Sequence, residues 1–156
     1  QLLKNCSSEI DVIAGTATAG IPHATTLADI LQLPLIYVRS ATKSHGMGNQ
    51  IEGPLKQNQQ VLVIEDLIST GGSAASAVTA IREAGGIVNH CFSIFSYGFT
   101  EATDKFNSIS CEIHSILKFP QLLEVAQATQ NLSPNDIETL LSWQKNPFKW
   151  SKNKDL

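Results

Sequence analysis

The sequence lacks the long apolar segments and the leader pattern that mark membrane-bound or exported proteins. None of its segments approaches the roughly 18 apolar residues of a membrane-spanning helix. The start, QLLKNCSSEID, has no signal-peptide pattern. We therefore expect a cytoplasmic protein without a membrane partner. Because the first residue is Gln1 rather than methionine, we also expect a processed, trimmed or partial form of something longer.

Cysteine and net charge are also sparse. Cys6, Cys91 and Cys111 are scattered, odd in number and without CxxC spacing, so we expect reduced thiols and no zinc site. A net charge of −3 gives no overall attraction to nucleic acid or anionic membranes. With 42% hydrophobic and 16% charged residues among 156, the chain can bury the core of one globular domain.

Short β-branched runs alternate with helical patterns. We predict strands over 10–15, 34–39, 61–66, 87–97 and 111–117, and helices over 21–33, 72–86, 119–129 and 133–145. Ser133 is the expected N-cap of the last helix, with Pro134 at its first position. This alternation predicts an α/β fold with a mostly parallel central sheet flanked by helices. The polar stretch 40–60 predicts a mobile loop, with a terminal hairpin as an option.

The segment VLVIEDLISTGGSA, 61–74, combines two carboxylates with a small-residue loop. Glu65 and Asp66 follow the apolar run, at the end of a strand where ligands bind in α/β sheets. The loop consists of Ser69, Thr70, Gly71, Gly72 and Ser73. Its backbone N–H groups and the next helix dipole favour a phosphate, although GxxxxGK[ST] and GxGxxG are both absent.

The neighbouring carboxylates distinguish this segment from an ordinary strand-to-helix turn. A plain turn would explain the glycines but not Glu65 and Asp66 in front of an anion site. Carboxylates accept hydrogen bonds from ribose hydroxyls or hold Mg²⁺ through water. A metabolite with hydroxyls beside a phosphate would satisfy both halves of the segment.

A second small-residue segment, GTATAGIP, follows the first predicted strand. It contains Thr16, Ala17, Thr18, Ala19 and Gly20. Such residues also form ordinary βα turns, and that alternative stays open. Their position nevertheless predicts another backbone anion site close to the first.

The third segment, YVRSATKSHGMGNQIEG, is free of acids until Glu52. It contains three cationic or titratable side chains: Arg39, Lys43 and His45. A solvated surface loop is the ordinary interpretation of such a cluster. Its glycines and missing acids also fit a lid that closes over a polyanion.

Together, these segments resemble the type I phosphoribosyltransferases. The KxHGxGN pattern in the third segment narrows the match, because with it the three segments closely resemble the orotate phosphoribosyltransferase family. The resemblance is strong over about 10–100 and looser beyond. It implies a type I phosphoribosyltransferase fold with a flexible catalytic loop, a domain over 1–145 and a basic tail over 146–156. The implied reaction converts phosphoribosyl pyrophosphate (PRPP) and orotate into orotidine 5′-monophosphate and pyrophosphate, with Mg²⁺.

The resemblance also implies roles for individual residues. Glu65 and Asp66 would contact the ribose hydroxyls and, through water, Mg²⁺, while 69–73 would hold the 5′-phosphate. Segment 16–20 would be the pyrophosphate loop, which often carries a non-proline cis peptide in this family. The pyrophosphate would also meet three side chains: Arg39, Lys43 and His45.

Catalysis would rest on Lys43, His45 and Asp66, and orotate would contact Ser69 and Tyr97. The family forms homodimers in which Lys43 and His45 would reach from the lid of one subunit into the partner's site.

The chain departs from the family's pattern at several points. Ala19 and Ser40 stand where some members have lysine, and Tyr97 stands where some have an orotate-binding arginine. The N-terminal segment that forms part of the family's orotate pocket would precede Gln1. These departures concern the base more than PRPP.

Two rival functions follow. One is transfer to a purine or uracil, and the other is a non-catalytic regulator that senses PRPP or nucleotides. A third alternative is that this chain, lacking the N-terminal segment, binds PRPP but is inactive on orotate. The KxHGxGN segment argues against the first, and the complete lid with modest charge against the second. The remaining histidines and tryptophans are expected to be structural or packing residues: His23, His90, His114, Trp143 and Trp150.

Overall fold

The computed structural model describes residues 9–39 and 50–153, with side chains as far as residue 150. In these ranges, the strands are β1 Val12–Thr16, β2 Leu35–Val38, β3 Ile51–Glu52, β4 Gln60–Ile68, β5 Ile87–Ser96 and β6 Glu112–Lys118. The helices are α1 Gly20–Leu31, α2 Gly72–Glu83, α3 Thr100–Ser108, α4 Phe119–Ala128 and α5 Pro134–Lys145. A 3₁₀ helix, Pro147–Asn153, follows them.

The strands form one sheet in the order β3-β2-β1-β4-β5-β6. Neighbouring strands are parallel except β2 and β3, which are antiparallel. The predicted α/β architecture with a mostly parallel sheet is therefore confirmed. From β1 the chain continues to one side, and from β4 it continues to the other side. The carboxyl ends of β1 and β4 thus form a topological switch point, where ligands bind in open α/β sheets.

Helices cover both faces of the sheet, which explains why the paired parts of β1 and β4, residues 12–15 and 61–64, are apolar. On one face, Ala24 and Ala28 of α1 join a cluster with Ile13 and Leu62. On the other face, the buried cluster is larger and includes α2 and α3: Val12, Ala14, Val63, Val78, Ile81, Ala102 and Phe106. Each large aliphatic side chain buried in these layers contributes about 1.5–3 kcal/mol.

An aromatic cluster anchors the C-terminal helices to the end of β5. Trp143 of α5 contacts Tyr97, Phe99 and Phe119 with ring centroids 5.4–5.7 Å apart. This confirms that Trp143 is a packing residue. The predicted start of α5 is confirmed as well, because the Asp136 N–H donates to Oγ of the N-cap, Ser133, at 3.2 Å.

Three elements differ from the prediction. The strand predicted over 61–66 continues to Ile68, because β5 pairs with it as far as Ser96. β3 lies within the predicted loop 40–60 and forms the hairpin with β2, where Val38 is opposite Ile51. Helix α3 was not predicted, because the segment TEATDKFNS buries only Ala102 and Phe106.

The helices within 9–39 and 50–153 are short relative to the thickness of a bilayer. None of them combines the length and apolar character needed to cross it.

Candidate functional site

Glu65 and Asp66 lie beside the switch point rather than at the end of their strand. The last residue pair between β1 and β4 is Gly15 with Ile64. β4 then continues against β5 alone, with Glu65 opposite Ser93. The carboxylates therefore follow the point where β1 ends, and the loop after β1 faces this part of β4.

Glu65 is a buried carboxyl group with few compensating contacts. Its side chain is 6% exposed, and its Oε1 accepts a hydrogen bond from the Asp66 N–H at 3.1 Å. Burial raises the pKa of Glu65 from its ordinary 4.5 to about 7, a shift that a hydrogen bond from Thr16 partly offsets and the Asp66 side chain increases. Asp66 itself is half-buried. One carboxyl group is therefore desolvated beside another that solvent reaches.

The loop 69–73 leads directly into α2. Gly71 is the N-cap and has φ of +72°, a conformation that favours glycine. A Cβ there would lie 3.1 Å from Cε2 of Phe106. Because no side chain caps this helix end, the first-turn N–H groups and the positive end of the helix dipole are suited to an anion.

The loop 16–20 packs against the same part of β4. The peptide bond between Ala17 and Thr18 is cis, as expected for this loop, and the Ala17 N–H donates to the Val38 carbonyl at 2.8 Å. A Cβ on Gly20 would lie 2.6 Å from the Ile64 carbonyl oxygen, so only glycine fits here. The start of α1 is thus held against the residue that precedes Glu65.

Arg39 joins the third motif to the other two. It lines a cavity of about 100 Å³ with Thr16 and Ser73, one residue from each small loop. Its Nη1 lies 3.4 Å from Oε1 of Glu52, which directs the guanidinium along the β2–β3 hairpin. Lys43 and His45, which were predicted to act with Arg39, lie outside the described residues.

The predicted orotate contacts, Ser69 and Tyr97, lie on adjacent strand ends. The Tyr97 N–H donates to the carbonyl of Ile68, the residue before Ser69, at 3.1 Å. The Tyr97 ring stacks on Phe99 with 5.3 Å between centroids and an interplanar angle of 10°. The backbone of Tyr97 is therefore close to loop 69–73, while its ring belongs to the aromatic cluster.

Lys105 was missed by the sequence reasoning. It lies on α3, and its Nζ is 3.6 Å from the position a Cβ would occupy at Gly72, the first residue of α2. The sequence contained one signal for it. Ala102 and Phe106 are four residues apart and therefore share one face of a helix, and Lys105, three residues after Ala102, borders that face. Packing of α3 therefore brings a cation to the start of α2, beside loop 69–73.

Comparisons with known proteins show similarity in sequence and in fold. The family model of the phosphoribosyl transferase domain matches residues 1–128. An orotate phosphoribosyltransferase of Listeria monocytogenes is 49% identical over 150 residues, which are 96% of this chain and 72% of that protein.

Two solved structures are also similar. An orotate phosphoribosyltransferase from Aeropyrum pernix has a TM-score of 0.70 at 29% identity, with 76% of this chain and 66% of that chain covered. The Mycobacterium tuberculosis enzyme in complex with PRPP has a TM-score of 0.62 at 25% identity, with 77% of this chain and 69% of that chain covered.

Proposed function

Because this chain belongs to the phosphoribosyl transferase family and, within it, to the orotate phosphoribosyltransferases, we propose that it transfers the phosphoribosyl group of PRPP to orotate. The products are orotidine 5′-monophosphate and pyrophosphate, in pyrimidine nucleotide biosynthesis. The observation that carries this proposal is the meeting of two carboxylates and two small-residue loops at one switch point.

Each part of that arrangement suits one part of PRPP. Loop 69–73 offers backbone N–H groups and hydroxyls to the 5′-phosphate, and Lys105 adds a positive charge beside Gly72. Glu65 and Asp66 accept hydrogen bonds from the ribose hydroxyls. Loop 16–20 and Arg39 hold the pyrophosphate, since Thr16, at the start of this loop, and Arg39 border one cavity with Ser73.

The reaction breaks the bond between C1′ and the pyrophosphate oxygen and forms a bond between C1′ and an orotate ring nitrogen, which releases its proton to water. Positive charge develops at C1′ while negative charge accumulates on the leaving group. We assign the main stabilisation of the leaving group to Lys43, with support from Arg39. His45 also supports it, and either positions the pyrophosphate or donates a proton. Asp66 anchors the ribose and favours the charge at C1′. The lid excludes water.

Mg²⁺ is the cofactor proposed for this site. Glu65 and Asp66 fit it, because Mg²⁺ prefers carboxylate oxygen and water, and a cation would offset the cost of ionising a buried carboxyl group. When bound to PRPP, Mg²⁺ neutralises part of the charge on the pyrophosphate.

We also propose a homodimer in which Lys43 and His45 act in the partner's site. Exposed apolar side chains on α1 and β6 support self-association: Ile30 is 71% exposed and Ile116 is 64% exposed. A cytoplasmic location is proposed from the free thiols of Cys91 and Cys111.

A base panel tests the proposed reaction. PRPP and Mg²⁺ are supplied with orotate, uracil, adenine or hypoxanthine, and loss of each base is followed by absorbance. We expect turnover with orotate and at least about 100-fold less with the others, because the site is built to pair polar groups of its own base. Equal turnover on another base would identify a different transferase. PRPP binding without turnover on any base would favour a sensing protein.

A further inference from the structure

Two histidines and a glutamate meet on one face of the β5–β6 pair. His90 of β5 is directly opposite Glu112 of β6, and Phe92 is opposite His114. Side chains two residues apart on a strand share a face, so all three polar side chains lie on the same side of the sheet. The cluster is formed by backbone register rather than by a loop.

The distances within the cluster match those of a metal-binding site. Oε2 of Glu112 lies 3.6 Å from Nδ1 of His90 and 3.3 Å from Nε2 of His114. All three ligand atoms lie within 4.8 Å of one another. A tetrahedral ion with bonds of about 2.0–2.1 Å holds its ligand atoms roughly 3.4 Å apart, so the two carboxylate distances already agree.

His90 supplies an independent observation. Its Nδ1 is buried without a hydrogen-bond partner, and its side chain is only 11% exposed. The 3.6 Å separation from Glu112 is too long for a hydrogen bond. An unsatisfied ring nitrogen costs free energy, and an ion bound by it would remove that cost.

The cluster is separate from the proposed PRPP site. His90 precedes Ser93, the β5 residue opposite Glu65, by three positions, which corresponds to about 10 Å along a strand. It also lies toward the amino-terminal end of β5, whereas the substrate loops follow the carboxyl ends of β1 and β4. An ion here would not contact PRPP.

We propose that His90, Glu112 and His114 bind one divalent transition-metal ion, and that this ion is Zn²⁺ or one with similar ligand preferences. Two imidazoles and one carboxylate suit such ions, and water completes the fourth position. The ion fastens the start of the outer strand β6 to β5. The expectation of no zinc site rested on cysteine spacing, which does not bear on a site of histidine and carboxylate.

Calorimetric titration of Zn²⁺ into the EDTA-treated full chain tests this site. Glu112→Gln is the main variant, because Glu112 is 71% exposed and its substitution leaves the core intact. His114→Ala removes a second ligand, and His23→Ala on α1 is the control. We expect one Zn²⁺ per wild-type and H23A chain, and at least about 10-fold weaker binding in the other two.

Thermal unfolding and PRPP affinity complete the test. Zn²⁺ should raise the Tm of the wild type but not that of E112Q. PRPP affinity should be equal in the wild type and E112Q, which separates this site from the proposed function. Absence of Zn²⁺ binding to the wild type, or unchanged Zn²⁺ affinity in either E112Q or H114A, would overturn the proposal.

Discussion

Glu65 and Asp66 are adjacent in the sequence but differ in their surroundings. Glu65 is buried on β4 just past the end of β1, opposite Ser93 of β5, whereas Asp66 is half-exposed. The sequence indicated that both belong to a ligand site, since each follows the apolar part of the strand. The difference in burial depends on where β1 ends, which is set by pairing across the sheet. Only the fold therefore distinguishes the desolvated carboxyl group from the accessible one.

The raised pKa of Glu65 predicts a pH-dependent stability. Its folded-state value of about 7 lies above the ordinary 4.5, so the folded state binds more protons between these values. Stability should therefore fall as the pH rises from about 5 to 8. Glu65→Gln removes this contribution, so the free energy of unfolding of E65Q relative to wild type should increase by on the order of 2 kcal/mol across that range.

Urea unfolding of the ligand-free protein at pH 5 and pH 8 measures this difference. Glu124→Gln, an exposed position on α4, is the matched control and should show no such trend. A difference between E65Q and wild type that stays constant with pH would show that Glu65 ionises as an ordinary exposed carboxyl group does.

At the scale of elements, the motifs that lie within one strand–loop–helix unit were predictable. The apolar run before Glu65 predicts the strand, and the glycines after it predict the loop 69–73 that leads into α2. By contrast, β3 has two residues and forms only because β2 offers a partner. Helix α3 buries two side chains, too few for a clear periodicity. Both elements are products of tertiary contacts, so their contributions to the site could not be predicted locally.

Lys105 tests the contribution of α3. Removing its charge from beside Gly72 should weaken PRPP binding, because a cation near a phosphate contributes about 1 kcal/mol or more. We expect Lys105→Ala to raise the KM for PRPP about 5-fold while the kcat stays within about 2-fold, as for uniform binding.

Lys56→Ala is the matched control, an exposed lysine in the turn before β4, and its KM should equal that of wild type. Steady-state kinetics at two salt concentrations provide the measurement. If K105A and K56A had the same KM, Lys105 would have no part in binding the phosphate.

At the scale of the whole molecule, the order of the strands decides which loops meet. β1 and β4 are far apart in the sequence but adjacent in the sheet, and the chain leaves them in opposite directions. Alternating strands and helices predicted a parallel sheet, but not which strands would be neighbours. The resemblance of three motifs to one family implied the type I phosphoribosyltransferase fold but was not used to predict the order of the strands. The role of residues 40–49 as a lid remains a prediction, because these residues lie outside the described part of the chain.

The proposed exchange of lid residues predicts complementation between inactive variants. Lys43→Ala should lower kcat by about 100-fold or more, and Asp66→Asn should impair the site in its own subunit. After the two variants are mixed and allowed to exchange subunits, one site in each heterodimer has an intact lid and an intact carboxylate. Activity should rise to about a quarter of wild type. A mixture no more active than its parents would argue against lid residues acting across the interface.

The central claim is that the switch point between β1 and β4 binds PRPP. Calorimetric titration of PRPP with Mg²⁺ into the wild type and Asp66→Asn tests it most directly, with Asp104→Asn on the exposed side of α3 as the control. We predict one PRPP per chain for the wild type and D104N, and at least about 10-fold weaker binding for D66N, because a carboxyl oxygen that accepts hydrogen bonds from the ribose hydroxyls is lost. Equal PRPP affinity in D66N and wild type, or no binding to the wild type, would contradict the claim.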